Sequence, residues 1–284
     1  MSRLYEMAMA EIGKINTLRV IKEVDFGLYL DGGEHGEILI PKRYVPENTK
    51  PEDMLEVFIY LDSEDRIIAT TDKPLIAVGE FACLKVVAVT QMGAFLDWGL
   101  PKDLFVPFRE QKQRMEEGKS YVVTLYLDYD SKRLVGSAKI DKFLDNLPPD
   151  YPIGEEVDLL ISGETDLGFN AIINNRHIGV LYKNEIFQPL KKGDRIKGYI
   201  KKIREDEKID LILQKPGYEK VDSISMKILE TLKNHNGFIP VTDKSDPDTI
   251  YNLFGVSKKT YKKAVGSLFK FRLIVIEENG IRLK

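Results

Sequence analysis

Three segments of the chain repeat one spacing of glycines, and this repeat limits the possible folds more than any other feature of the sequence. The segments are GKINTLRVIKEVDFGLYLD from Gly13, GEFACLKVVAVTQMGAFLD from Gly79 and GEEVDLLISGETDLGFNAI from Gly154. In each, a second and central glycine follows fourteen positions later, at Gly27, Gly93 and Gly168. A spacing that is kept over three copies predicts three structural units of the same kind.

Two further landmarks keep the same register. The segments DMLEVFIYLD, GKSYVVTLYLD and GDRIKGYIKKI begin at Asp53, Gly118 and Gly193. A basic residue then opens the last strand-like run 39, 40 and 40 positions after the central glycine. Each unit therefore has about five short β-rich runs separated by turn residues, which is typical of a small barrel. Phe108–Glu117 is the one candidate for a helix-length periodic segment in the first two hundred residues.

The central glycine lies inside a strand pattern, so we expect a bulge or a tight barrel bend there. After the glycine, apolar and aromatic residues alternate. Leu28 and Leu30 point to one face and Tyr29 to the other, and Phe95 alternates with its neighbours in the same way. The first set is expected to fill the barrel core. The outward rings are either displayed on the surface or covered by an adjacent barrel.

The hydrophobic pattern changes from period two to a helical period in the last part of the chain. Ser223–Asn234 predicts one helix, Asp246-Pro247 starts a second, and Ser257 caps a third that runs to about Phe271. Two short strands, Leu273–Glu277 and Ile281–Leu283, follow and are joined through Asn279-Gly280, a strong hairpin signal. This order of elements is that of a winged helix.

The expected fold is therefore mainly β with a C-terminal α+β domain. Paired prolines at Asn146–Ile153 indicate a stiff spacer, and Lys215–Pro216–Gly217 a shorter one. The predicted domains are a barrel at 1–75, a barrel at 76–145, a barrel at 146–216 and a winged helix at 217–284.

The composition excludes several classes of protein. The longest apolar runs, such as Val86–Val89, are too short to cross a bilayer, and the N-terminal MSRLYEMAMAEIG has no secretory apolar core. One cysteine, Cys83, fits a reducing compartment, so a cytoplasmic protein is expected. Three histidines and one cysteine offer no zinc spacing, and no phosphate-loop or nucleophile-elbow motif occurs. We therefore expect no catalytic residues, no metal, no cofactor and no enzymatic activity.

The charge is distributed unevenly along the chain. The net charge is −3 overall, but it is −6 for residues 1–75, −1 for 76–150, 0 for 151–215 and +4 for 216–284. An anionic ligand would therefore be attracted toward the C-terminal half.

The segments VDFGLYLD and TQMGAFLD, followed by GEILIP and DLFVP, resemble the S1 RNA-binding domain, a five-stranded oligonucleotide-binding (OB-fold) barrel. Three such units that end in a winged helix resemble the conserved virulence factor B family, a group of bacterial S1-like RNA-binding proteins. The resemblance covers nearly the whole chain. It implies a nucleic-acid-binding face on each barrel.

In S1 domains that face carries aromatic residues just before the glycine and two residues after it, a histidine or aromatic on the next strand, and a basic residue at the start of the last strand. Outward rings stack on bases, and the basic residue contacts phosphate. The resemblance thus assigns RNA contact to eight residues: Phe26, Tyr29, Arg66, Phe95, Phe105, Arg133, Tyr182 and Lys208.

The three units are unequal at these positions. Leu39 replaces the histidine in the first unit, which is also the most acidic, and Leu167 and Asn170 replace both rings in the third. The third unit has the more favourable charge, with a basic run from Lys191 to Arg204. Ring chemistry and charge therefore favour different barrels.

The third predicted helix of the winged helix carries a basic face of four lysines: Lys258, Lys259, Lys262 and Lys263. Lysines contact phosphate, but the helix has no Arg, Asn or Gln with which to read bases. Non-specific nucleic-acid contact, sequence-specific DNA contact and protein contact all stay open for this domain.

The main hypothesis is a non-enzymatic protein that binds single-stranded RNA through the barrels, with help from the basic helix, and acts in post-transcriptional or translational regulation. The alternatives are a DNA-binding transcription regulator that uses the winged helix on duplex DNA, and a protein-interaction scaffold with degenerate barrels.

Overall fold

The computed structural model describes residues 10–186, 188–214 and 223–284. The chain divides into two compact units. The first consists of Met1–Asp150, Val157–Lys197 and Ile203–Leu211, and the second of Tyr151–Glu156, Gly198–Lys202 and Ile212–Lys284. Residues 1–9, the start of the first predicted domain, and the predicted linker Lys215–Pro216–Gly217 lie outside the described residues. The four domain boundaries stay predictions.

Each of the three repeats forms five strands with the same neighbour relations. The first repeat is a closed barrel of order β1-β2-β3-β5-β4, and the third is a closed barrel of order β11-β12-β13-β15-β14. The strands of the first barrel are β1 Ile15–Val24, β2 Gly27–Asp31, β3 Glu37–Pro41, β4 Met54–Leu61 and β5 Ile67–Thr70. Those of the third are β11 Glu156–Glu164, β12 Gly168–Ile173, β13 His177–Tyr182, β14 Arg195–Ile203 and β15 Ile209–Ile212.

The second repeat is a five-stranded barrel-like sheet of order β10-β9-β6-β7-β8. Its two outer strands, β8 and β10, lie side by side. A Cβ added to Gly136 on β10 would be 2.8 Å from Cγ2 of Val106 on β8. Its strands are β6 Phe81–Val89, β7 Gly93–Asp97, β8 Leu104–Pro107, β9 Ser120–Leu127 and β10 Leu134–Ser137. The predicted mainly β architecture of three barrel units is confirmed.

The central glycines permit close approach between the second and third strands of each unit. A Cβ at Gly27 would lie 2.1 Å from the carbonyl oxygen of Ile40, and one at Gly93 would lie 2.4 Å from that of Val106. No side chain fits at such distances. The bulge itself lies in the preceding strand, where the pairing shifts between Val20 and Lys22 and at the matching positions of the other two units. The glycine and the bulge are thus two parts of one barrel bend.

Neighbouring barrels share apolar cores. Phe58, Tyr60 and Ile76 pack with the core of the second barrel, and Trp98 is buried among them. The ring centroids of Phe58 and Trp98 are 5.9 Å apart at an interplanar angle of 76°. A second apolar cluster joins strands of the second and third barrels through Phe81, Val122, Leu160 and Ile172. These shared cores fix the neighbouring barrels against each other.

The C-terminal domain has the winged-helix order of elements. Its elements are α1 Ser223–Asn234, β16 Phe238–Ile239, α2 Pro247–Phe254, α3 Lys258–Lys270, β17 Ile274–Glu277 and β18 Gly280–Leu283. The Asp246 carboxylate accepts hydrogen bonds from the amides of Asp248 and Thr249 at 3.0 and 3.3 Å, and Ser257 caps α3 through the amide of Thr260. These are the predicted caps. Among the described residues, no helix is long and apolar enough to cross a membrane.

Phe108–Glu117, the one candidate for a helix in the first two hundred residues, does not form a helix. Only Phe108–Glu110 is helical, as one 3-10 turn. The buried Gln111 then donates from Nε2 to the carbonyl oxygen of Val106 at 3.0 Å and accepts from the amide of Met115 at 3.0 Å. These side-chain bonds fold the segment back on the barrel and replace a helical hydrogen-bond ladder.

Candidate nucleic-acid interface

Strand alternation places the predicted rings on the outer faces of the first two barrels. Leu28 and Leu30 are buried on either side of Tyr29, and Ala94 and Leu96 are buried on either side of Phe95. Tyr29 and Phe95 themselves are half-buried. Because their neighbours already fill the barrel core, these rings remain accessible from outside.

The first barrel presents a small aromatic pair beside a cation. Phe26 is 57% exposed and meets Tyr29 edge-to-face, with ring centroids 6.4 Å apart. Nζ of Lys22 lies 4.8 Å from the centroid of the Tyr29 ring. Lys22 is the direct cross-strand partner of Tyr29, so it could have been found from the register of the hairpin.

Arg66, the predicted phosphate contact of the first barrel, forms ion pairs with two carboxylates. Nη2 of Arg66 is 2.7 Å from Asp62 Oδ2, and its Nη1 is 2.9 Å from Glu64 Oε2. Leu39 lies directly opposite Tyr29 on β3, so the ring has no aromatic partner across the strands. The first barrel therefore has accessible rings in an acidic setting.

The second barrel brings two predicted rings together. Phe95 on β7 lies directly opposite Phe105 on β8, with centroids 5.2 Å apart and planes tilted by 38°. Both rings, together with Met92, which is 69% exposed, line an open cavity of about 460 Å³. Paired rings at the side of a cleft form a stacking platform for bases.

Cations and carboxylates border this cavity. Arg133, the predicted phosphate contact, lines it together with Lys102 and Asp103 of the same barrel. Asp65 of the first barrel forms ion pairs with both Arg133 and Lys102. Lys102 and Asp65 were not predicted as site residues. Their contact depends on how two barrels pack against each other, and the sequence pattern of a single repeat does not indicate it.

The ion pairs keep the Asp65 carboxylate charged. Partial desolvation pushes the pKa of Asp65 upward, but hydrogen bonds from Arg133 and Lys102 outweigh this effect, so the pKa lies below its ordinary value. Asp103 behaves in the opposite way, because burial and the nearby Asp97 carboxylate raise its pKa. The cavity thus combines an aromatic wall with two cations that already hold an anion.

The face of the third barrel lacks a ring pair. The register pairs Asn170 with Val180 and Gly168 with Tyr182, so Val180 occupies the position of Phe105, and Tyr182 matches Pro107. The equivalence drawn from sequence between Tyr182 and the S1 histidine position is therefore wrong by two residues.

Tyr182 and Lys208 are also engaged within the third barrel. The Tyr182 hydroxyl donates to Asp210 Oδ1 at 3.2 Å and also contacts Arg204, which pairs with the same carboxylate at 2.6 Å. Nζ of Lys208 is 2.9 Å from Asp206 Oδ2. The polar groups of this face are thus paired with one another.

Part of the basic run in the third barrel serves the contact with the second barrel. Arg195 donates to the carbonyl oxygen of Phe81 at 2.5 Å, and Nζ of Lys192 lies 5.1 Å from the ring centroid of Tyr121. Lys197 pairs with Asp158 at 2.7 Å. The favourable charge that the sequence assigned to this barrel is therefore partly used in structural contacts.

The four lysines at the start of α3 differ in availability. Nζ of Lys258 donates to the carbonyl oxygens of Lys244 and Ser245, and Lys262 pairs with Asp243 at 3.3 Å. Lys259 and Lys263 are exposed and one helical turn apart, and have no ion pair within the described part of the chain. These two lysines are the available cations of the predicted basic face.

Comparison with known proteins agrees with this architecture. The S1 domain family matches residues 12–72 and 78–139, and the CvfB-like winged helix domain family matches residues 226–283. The S1 match covers the first two barrels, and the third has the same strand order.

Several bacterial proteins are similar along almost the whole chain. The uncharacterized protein YitL of Bacillus subtilis is 29% identical over 284 residues, which cover 94% of this chain and 92% of that protein. Conserved virulence factor B of Staphylococcus aureus (strain MRSA252) is 24% identical, over 96% of this chain and 94% of its own.

Among solved structures, a multidomain protein with nucleic acid binding domains from Streptococcus pneumoniae is 22% identical. The similarity covers 96% of this chain and 98% of that one, with a TM-score of 0.42. The family resemblance predicted from the sequence is confirmed by the domain matches and the named relatives. The chain is an S1-domain protein with a CvfB-like winged-helix domain, similar over nearly its whole length to the conserved virulence factor B proteins.

Proposed function

We propose that this protein binds single-stranded RNA, that the outer face of the second barrel is its main binding surface, and that it acts in post-transcriptional or translational regulation without catalysing a reaction. The observation that supports this most is the cross-strand pair of Phe95 and Phe105 in a cavity that also contains Arg133 and Lys102. Rings bind bases through stacking, and the cations provide sites for phosphate.

A single strand suits this surface better than a duplex. Bases must be unstacked to reach the Phe95 and Phe105 rings, and in a duplex the faces of the bases are covered by their neighbours. Within the described residues, the second barrel has strands and 3-10 turns but no α-helix that could enter the groove of a duplex. The first barrel, with Phe26 and Tyr29 beside Lys22, extends the same chemistry to a second point on the strand.

The proposal is tested by fluorescence anisotropy with a labelled single-stranded RNA and with DNA and duplexes of the same sequence. Phe95→Ala and Phe105→Ala should each weaken RNA binding by about 1–3 kcal/mol, the range for loss of one stacking contact. Tyr251→Ala removes an exposed ring on α2 and serves as the control, with unchanged affinity. Unchanged affinity in the Phe95→Ala, Phe105→Ala double variant would contradict the proposal.

A second candidate function is non-specific contact with nucleic-acid backbone by the winged helix. It is favoured by the availability of Lys259 and Lys263 on α3, while the absence of Arg, Asn and Gln from the helix disfavours base reading. Lys259→Glu with Lys263→Glu should lower the salt dependence of binding, because fewer phosphates are neutralised. Lys262→Glu, at a lysine already paired with Asp243, is the matched control and should have the smaller effect. A sequence-specific footprint on duplex DNA that is abolished by these changes would instead favour a transcription regulator.

A further inference from the structure

The turn between β4 and β5 of the first barrel reaches the binding face of the second. Leu61 at the end of β4, with Ser63 and Asp65 in this turn, lines the same cavity as Phe95 and Phe105. Nζ of Lys102 donates to the carbonyl oxygen of Asp62 at 2.6 Å and to Asp65 Oδ1 at 3.2 Å. The cavity is thus built by two barrels, and the carboxylate that pairs with its two cations comes from the barrel that does not carry the rings.

The position of Asp65 is determined by the structure around it. Its backbone is in the left-handed region, with φ of 61°, and its amide donates to the carbonyl oxygen of Asp62 at 3.0 Å. The shared core of Phe58, Tyr60 and Trp98 fixes the first barrel against the second. The contact of Asp65 with Arg133 is therefore set by the conformation of this turn and by the packing of the two barrels.

We propose that Asp65 is an internal competitor of the nucleic-acid phosphate at the second barrel. Its carboxylate occupies Arg133 and Lys102, the two cations that border the aromatic cavity. A phosphate that binds beside Phe95 and Phe105 must displace this carboxylate, so the first barrel limits the affinity of the second. This inference rests on the proposed function, because it requires RNA to bind at the second barrel.

The chemistry of displacement predicts a change in salt dependence. Asp65 offsets part of the positive charge of Arg133, so the wild-type protein neutralises less phosphate charge and releases fewer counterions from the RNA. Without the carboxylate this offset disappears. The slope of log affinity against log salt should then be steeper by about 0.7, the value for one additional phosphate contact on a single strand.

Asp65→Asn is the variant of choice, because asparagine tolerates a positive φ and keeps the turn. Asp65→Gly is the second variant, since glycine adopts this backbone without strain. Glu47→Gln removes one negative charge from an exposed position of the same barrel that does not line the cavity, and serves as the matched control. Binding is measured by anisotropy with a labelled single-stranded RNA at several salt concentrations.

The expected result is affinity about two- to fivefold higher for Asp65→Asn and Asp65→Gly, in line with the loss of exposed ion pairs, and unchanged affinity for Glu47→Gln. The gain should disappear in a background of Arg133→Ala with Lys102→Ala. Three results would overturn the inference. The Asp65 variants could gain no more RNA affinity than Glu47→Gln, they could keep their gain when both cations are removed, or they could bind RNA more weakly than the wild type. If Phe95→Ala and Phe105→Ala reduce affinity while Asp65→Asn does not raise it, the inference alone fails. If neither ring matters, or no RNA binds, the proposed function fails with it.

Discussion

A Cβ on Gly168 would lie 1.9 Å from the carbonyl oxygen of Leu181, on the neighbouring strand β13. The same relation holds for the central glycines of the other two barrels, so the repeated glycine spacing reflects one steric requirement. The glycines allow the second strand to approach the third closely at the point where the barrel bends.

Gly168→Ala should therefore destabilise the protein by about 1–3 kcal/mol or more, because the backbone must move to admit a methyl group. Gly163→Ala is the control within the same barrel, since a Cβ at Gly163 meets nothing within 4 Å. Urea unfolding of the two variants is the measurement. Equal stabilities would refute the steric explanation of the repeat.

Trp98 joins the first two barrels, and its removal should be costly. Its ring is buried against Phe58 and Tyr60, and its indole NH donates to the carbonyl oxygen of Lys102. Trp98→Ala should destabilise the protein by about 3–5 kcal/mol, the range for large core truncations. Tyr129→Ala, which removes a ring that is 82% exposed on the same barrel, should cost less than about 0.5 kcal/mol. Similar losses for both variants in urea unfolding would speak against a shared core.

Stability should fall at alkaline pH because of Tyr60. Burial, together with the nearby Tyr44, raises the pKa of Tyr60 to about 12. Between pH 10 and 12 the unfolded chain has lost this proton while the folded chain still holds it, so stability decreases as the pH rises through that window. The loss attributable to Tyr60 is about 2–3 kcal/mol.

Urea unfolding of the wild type and of Tyr60→Phe, measured at pH 8 and at pH 11.5, isolates this contribution. The wild type should lose more stability than the variant over this interval. Parallel losses in the two proteins would show that Tyr60 ionises normally in the folded state.

The third barrel should contribute little to RNA stacking. Tyr182→Leu removes the ring and its contacts with Asp210 and Arg204, so it should lower stability by about 1 kcal/mol but leave RNA affinity within about twofold. Phe105→Ala is the comparison. If Tyr182→Leu lowers RNA affinity as much as Phe105→Ala does, the third barrel is also a binding surface for RNA bases.

Local periodicity was sufficient to predict the strands, the helix caps at Asp246 and Ser257, and the outward placement of Tyr29 and Phe95. These features depend on nearest neighbours and on strand alternation. The loop after Phe108 was not predictable, because the side chain of Gln111 forms its hydrogen bonds with the backbone of a barrel strand and of Met115. β16 was not predicted, because a strand of two residues is too short to show an alternating pattern.

The site was predictable only within each repeat. Phe95 and Phe105 follow from the repeat itself, whereas the ion pairs of Asp65 with Arg133 and Lys102 depend on the packing of separate barrels. The position of Tyr182 was assigned two residues out of register because the third repeat has lost the rings that mark the alignment.

The proposed RNA site is the face of the second barrel that carries Phe95 and Phe105. Photocrosslinking of the full chain to a single-stranded RNA that contains 4-thiouridine, followed by digestion and mass spectrometry, tests it most directly. Crosslinked peptides are expected from the segment between Met92 and Phe105. Crosslinks confined to α3 of the winged helix, with none in the second barrel, would contradict it.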